Sequence, residues 1–72
     1  MEQNVVYPVL VGKIAERGIK KMAISDRLNI TPRALTMKLN GQSPFTWPEV
    51  VTIHKTFFPD ISMEDLMRRD RA

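Results

Sequence analysis

Apolar residues recur at helical spacing along most of the chain, in runs separated by glycine, proline and polar residues. The first run predicts a helix over residues 6–17. Its apolar face consists of Val6, Tyr7, Leu10 and Ile14. Pro8 falls in the first turn, where a missing N–H costs little, and Gly18 suits the left-handed residue that ends a helix. We therefore expect a core helix.

The next two runs predict two short helices joined by a tight turn. Residues 20–28 form the first of them, with Ile24 and Leu28 as its buried stripe. In the turn, Asn29 tolerates a positive φ, and Ile30 is expected to point back into the core.

The helix after this turn has sharp ends. Thr31 is a good N-cap residue and Pro32 a good first helical residue, so the helix is expected to begin there. It continues through Leu39 and ends at Asn40 and Gly41, a strong terminator.

Two further helices are predicted in the last third of the chain. Thr46 and Glu49 have capping-box spacing, which begins a fourth helix that ends before Pro59. Ser62 is the N-cap of a last short helix. With no strand-like alternation, the fold class is all-α, in a single domain over residues 1–72 whose tails, residues 1–4 and 69–72, are expected to fray.

One face of the third predicted helix is free of core residues. At helical spacing Leu35 and Leu39 fall on one side, whereas Arg33, Thr36 and Met37 fall on the other. A short helix that follows another helix and a tight turn can enter the major groove of DNA. Arg33 could then bind guanine, Thr36 a base edge, and Met37 only an apolar group.

Polar residues beside this face are candidates for binding the phosphate backbone. Positive side chains at the start of the second helix combine with free N–H groups there, and polar residues after the third helix follow the exposed face. The predicted phosphate contacts are Lys20, Lys21, Thr31, Lys38, Asn40, Gln42 and Ser43.

Composition excludes some classes of protein but does not identify a function. The absence of cysteine excludes disulfides and zinc fingers and favours a reducing cytoplasm. The net charge of +3 favours an anionic partner only weakly. No apolar run approaches the roughly 18 residues of a membrane span, and residues 1–4 lack the basic start of a secretory signal.

Catalytic and metal-binding patterns are missing from the sequence. His54 is the single histidine and has no second ligand at metal spacing, and Glu64 and Asp65 are expected to favour a helix start. No nucleophile–base set is evident either. We expect no catalysis, no cofactor, no metal and no small-molecule ligand.

Other interpretations of the same residues remain open. The positive side chains are equally compatible with a solvated surface, and Met37 with a protein interface. The aromatic residues fit packing in the core or between subunits better than base stacking, because basic residues are not interleaved with them. These aromatic residues are Phe45, Trp47, Phe57 and Phe58.

The stretch from Gly18 to Thr31, continued by residues 32–41, resembles the core of the Cro/C1-type helix-turn-helix family. Ser25 falls at the family's small position between the two helices, and Ile30 at the buried turn position. Residues 57–66 resemble the family's C-terminal end, and residues 7–18 and 38–46 look closest to short phage and prophage regulators. Lys21 stands where many members have glutamine, and Asn29 where glycine is common.

This resemblance implies a five-helix, lambda-repressor-like bundle. It also implies a homodimer that binds a partly palindromic double-stranded DNA operator as a transcriptional regulator. The alternative is a protein-interaction module on the same fold, of antirepressor or antitoxin type.

Overall fold

Five α-helices make up the regular structure in the computed structural model, which describes residues 6–69. They are α1 (Pro8–Glu16), α2 (Lys21–Leu28), α3 (Pro32–Leu39), α4 (Trp47–Phe57) and α5 (Met63–Leu66). No strand occurs among the described residues, so the all-α prediction is confirmed, and the predicted helix bounds agree to within a residue or two. Of the predicted frayed tails, residues 1–4 and 70–72 lie outside the described residues, and Arg69 lies within them.

Three helices begin at a hydroxyl side chain that accepts a hydrogen bond from the backbone N–H three residues further on. The distances are 3.1 Å at Thr31, 3.3 Å at Thr46 and 3.1 Å at Ser62. At Thr46 the bond is reciprocal, since its own N–H donates to Glu49 Oε1 at 2.9 Å. The three predicted N-caps are therefore confirmed, including the capping box.

The first three helices end in the same way. Each is followed by a left-handed residue, namely Gly18 (φ 64°), Asn29 (φ 63°) and Gly41 (φ 81°). After α3, Gly41 N–H donates to the Lys38 carbonyl at 3.1 Å and Gln42 N–H to the Met37 carbonyl at 2.9 Å. This paired pattern satisfies carbonyl groups that a helix end otherwise leaves open, and it turns the chain sharply.

The core lies where all five helices meet. It consists of Tyr7, Leu10, Ile14, Ile24, Leu35, Leu39, Ile53, Phe58 and Leu66. Ser25 is the buried polar residue beside it, and its hydroxyl donates to the Met22 carbonyl at 3.0 Å. Helix α2 packs against α3 and α4, while α5 packs against α4 and α1. As predicted, Ile30 packs against this core from the turn between α2 and α3.

An exposed ion pair joins the end of α1 to the chain between α4 and α5. The Arg17 guanidinium donates to both carboxylate oxygens of Asp60, at 3.1 and 2.7 Å, and lies 5.3 Å from the centre of the Phe58 ring. The hydrogen bonds from Arg17 hold the pKa of Asp60 below its ordinary value. The pair thus holds the α1 terminus over the buried Phe58.

None of the helices described within residues 6–69 has both the length and the apolar character needed to cross a membrane.

Candidate nucleic-acid interface

The exposed face of α3 carries the three side chains predicted to contact bases. Leu35 and Leu39 are buried, and Arg33, Thr36 and Met37 are exposed on the other side of the helix. Met37 is 39% exposed, which is high for a large apolar side chain. None of the ion pairs among residues 6–69 involves Arg33, so its guanidinium is not engaged by a carboxylate there.

The start of α2 differs from the starts of α3, α4 and α5. Its N-cap residue is Lys20, whose ammonium group can only donate, so no side-chain cap accepts from the first-turn N–H groups. The first-turn N–H groups of Lys21 and Met22 have no acceptor among the described residues. Lys20 and Lys21 are both exposed, so positive side chains flank open backbone donors at the positive end of a helix dipole.

A tight turn follows α3 and presents the next predicted phosphate contacts. The backbone bonds around Gly41 fold residues 40–43 back over the end of the helix. Asn40 and Gln42 are exposed and Ser43 is half-buried. Thr31, at the other end of α3, is exposed, and its hydroxyl oxygen is already an acceptor for the Ala34 N–H.

Lys38 is placed differently from what its predicted role requires. Its ammonium group pairs with Glu49 Oε1 at 3.1 Å and donates to the Pro44 carbonyl at 2.9 Å, and only 14% of its side chain is exposed. The sequence prediction placed this lysine at the edge of the exposed face, with its charge free to extend. Pro44 in the following loop instead supplies a carbonyl, and Glu49 at the start of α4 supplies a carboxylate. The Lys38 charge is therefore paired within the chain and is not free for a phosphate.

Burial by itself would raise the pKa of the Glu49 carboxyl, but the pKa lies below its ordinary value. The Thr46 backbone N–H and the Lys38 ammonium both donate to Glu49 Oε1, and these bonds outweigh the burial. Glu49 therefore stays ionised and ties the start of α4 to α3.

A further arginine lies close to the turn after α3. The Arg69 guanidinium lies 5.5 Å from the centre of the Tyr7 ring. One of its nitrogens lies 3.6 Å from the point that a Cβ on Gly41 would occupy. From the sequence, Arg69 was expected to lie in a frayed tail. Its place beside Tyr7 and Gly41 depends on contacts between distant parts of the chain, which no local sequence signal indicates.

The aromatic residues divide into two groups. Phe58 is fully buried, and Phe45 and Phe57 are packed against the core, as predicted. Trp47 is 68% exposed, so a core role for it is excluded in the single chain. With Val50, Met63, Glu64 and Met67 it lines an open groove of about 460 Å³ between α4 and α5.

Among the described residues, no group of three or more histidine, aspartate or glutamate side chains is arranged to hold a metal ion. His54 is half-buried on α4. No family model matches the chain, and no match was found among curated proteins or among solved structures.

Proposed function

We propose that the protein is a sequence-specific, double-stranded DNA-binding regulator that inserts α3 into the major groove. The observation that carries this proposal is the division of α3 into a buried face and an opposite, exposed face with Arg33, Thr36 and Met37. The major groove admits one α-helix, and base edges are read from the side of the helix that the core leaves free.

Each exposed residue has a distinct proposed role. Arg33, in the first turn of α3, donates two parallel hydrogen bonds to O6 and N7 of guanine. Thr36 meets a base edge or a thymine methyl group, and Met37 makes apolar contact with little sequence information. Lys20 and Lys21 hold a phosphate at the open start of α2, and the polar residues after α3 hold another.

At the level of family, the proposed fold is the lambda-repressor-like bundle that the resemblance implies, with α2 and α3 as its helix-turn-helix. The tight left-handed turn at Asn29, the fully buried Ser25 and the inward-packed Ile30 support it. We accordingly propose a cytoplasmic homodimer of phage or prophage type that binds a partly palindromic operator.

Selection of bound duplexes from a random DNA library tests this function. We expect enrichment of two related half-sites about one helical turn apart, because a symmetric dimer places two recognition helices at that spacing. Absence of any enriched sequence, with affinity that does not fall as salt rises, would contradict the proposal.

Three charge-matched variants test whether α3 makes the base contacts. Arg33→Ala should cost about 1–3 kcal/mol at the enriched site and relax preference at one base pair. Arg27→Ala removes the same charge from an exposed position on α2 and should leave that preference intact. Lys21→Ala should weaken binding to all sequences alike, because a phosphate contact carries no base information. If all three variants kept the base preference of the wild type, the proposal that α3 contacts the bases would be wrong.

The exposed Trp47 and the apolar groove beside it favour a second candidate, a protein-interaction module on the same fold. Exposed apolar surface of this kind marks protein interfaces more often than DNA contacts. The two candidates separate in one comparison. If α3 contacts DNA bases, Trp47→Ser should leave the affinity of each subunit for duplex DNA unchanged. If the protein is an interaction module, neither wild type nor Trp47→Ser should show salt-dependent binding to duplex DNA.

A further inference from the structure

The C-terminal end of the described chain returns to the turn that follows α3. The Arg69 guanidinium lies over the Tyr7 ring, with 5.5 Å from Cζ to the ring centre. Its Nη2 atom lies 3.6 Å from the position of a Cβ on Gly41, and Val6 approaches that position to 3.0 Å. A residue near one end of the chain thus lies beside the turn that carries Asn40 and Gln42.

The ring that supports Arg69 is itself held in place. Tyr7 is buried in the core and meets the Phe45 ring edge-on, at 5.4 Å between centres. Phe45 belongs to the same loop as Gly41 and precedes α4. The ring beneath Arg69 is therefore in contact with the loop after α3.

A guanidinium in cation–π contact with an aromatic ring still has N–H donors for other acceptors, because it carries five of them. Such a group can donate two parallel hydrogen bonds to a phosphate. Arg69 is exposed, so these donors reach the surface.

We propose that Arg69 binds a DNA backbone phosphate next to the turn after α3, together with Gln42. This proposal rests on the proposed function and extends its site by one residue. It also replaces Lys38, whose ammonium group is paired with Glu49, with a cation that follows α5.

The neighbouring Arg68 provides a matched control. It is exposed like Arg69, but its guanidinium pairs with Asp65 on α5 at 2.8 Å. Arg68→Gln and Arg69→Gln change the net charge equally at adjacent positions, so a general effect of charge on DNA affinity lowers both alike.

The experiment measures binding of wild type and variants to a labelled duplex of mixed sequence over a range of salt concentrations, by fluorescence anisotropy. We expect Arg69→Gln to weaken binding about tenfold, because a charge-assisted hydrogen bond to phosphate is lost. The slope of log affinity against log salt should become shallower by about 0.9 for each subunit bound, because each subunit loses one phosphate contact. Arg68→Gln should keep the wild-type slope, and Arg69→Lys should recover most of it.

The outcomes are separable. If wild type shows no salt-dependent duplex binding, the proposed function fails and the Arg69 site fails with it. If wild type binds and Arg69→Gln matches Arg68→Gln in both affinity and slope, the Arg69 site alone is overturned. Thermal unfolding followed by circular dichroism confirms that each variant is folded, and Arg69→Glu, which should weaken binding further, gives a second independent readout.

Discussion

Lys38 and Glu49 form an ion pair that is largely shielded from water, with 14% of each side chain exposed. Removing charges from water is costly, and such a pair persists only where further hydrogen bonds satisfy both groups. Here the Pro44 carbonyl accepts from Lys38, and the Thr46 N–H donates to Glu49. One residue pair thus joins α3, the following loop and the start of α4.

The low pKa of Glu49 leads to a prediction about acid stability. Because its folded pKa lies below the ordinary value of 4.5, ionised Glu49 stabilises the fold above that pH, and the contribution is lost as pH falls through the folded pKa. We expect Glu49→Gln to lower the free energy of unfolding by roughly 1–3 kcal/mol at pH 7. The difference from wild type should shrink on acidification well below pH 4.5.

Urea unfolding at a series of pH values measures this difference. Glu64→Gln, which removes a carboxylate from the exposed surface of α5, is the matched control and should have little effect at pH 7. A constant gap between wild type and Glu49→Gln across the whole acid range would contradict the assignment.

At the scale of elements, the helices are short, and the contacts at their ends determine where each one begins and stops. The longest, α4, has 11 residues, below the length at which an isolated helix is stable in water. In a short helix, a large share of the backbone N–H and C=O groups have no partner within the helix. Capping hydroxyls at the starts and left-handed residues at the ends supply hydrogen-bond partners for some of them. These features are local, so they were readable from the sequence at Thr31, Thr46 and Gly41.

The capping box of α4 gives a prediction at this scale. Thr46→Ala removes the hydroxyl that accepts from Glu49 N–H and should destabilise the protein by about 1 kcal/mol. For a domain of this size that corresponds to a fall in Tm of about 4–8 °C. Thr56→Ala, at an exposed position in the same helix, should leave Tm unchanged or raise it slightly, because alanine favours the helix more than threonine does. Thermal unfolding measures both Tm values. An equal change of Tm in the two variants would mean that the Thr46 cap does not stabilise the protein.

At the scale of the whole molecule, one small core holds all five helices together. Helix α5 has four residues and no independent stability, yet Leu66 on it is completely buried. A chain of this length is expected to have a free energy of unfolding of only about 4–11 kcal/mol, from typical per-residue values. Each fully buried side chain therefore accounts for a large part of the total.

Leu66→Ala should lower the free energy of unfolding by about 2–5 kcal/mol, through lost burial and the cavity that remains. Met22→Ala truncates another large apolar side chain, which is 62% exposed on α2. This change should alter the free energy of unfolding by less than about 0.5 kcal/mol. Denaturant unfolding of both variants makes the comparison. A small loss for Leu66→Ala would mean that α5 is not part of the cooperative core.

The candidate site was predictable to the extent that it depends on single helices. The exposed Arg33, Thr36 and Met37 follow from helical spacing relative to Leu35 and Leu39. The placement of Lys38 did not follow, because its partner Glu49 is reached only when the loop folds back onto α3.

The sequence by itself determined the five helices, the N-caps of the last three and the buried faces of the first three. These depend on contacts within three to five residues, such as a threonine hydroxyl and the N–H three positions on, or a left-handed residue beside the last helical turn. The tertiary structure alone decided three further features: the Lys38–Glu49 pair, the exposure of Trp47 and the position of Arg69 on Tyr7. Each depends on how residues far apart in the sequence are placed relative to one another. Local residue type and spacing do not specify that placement.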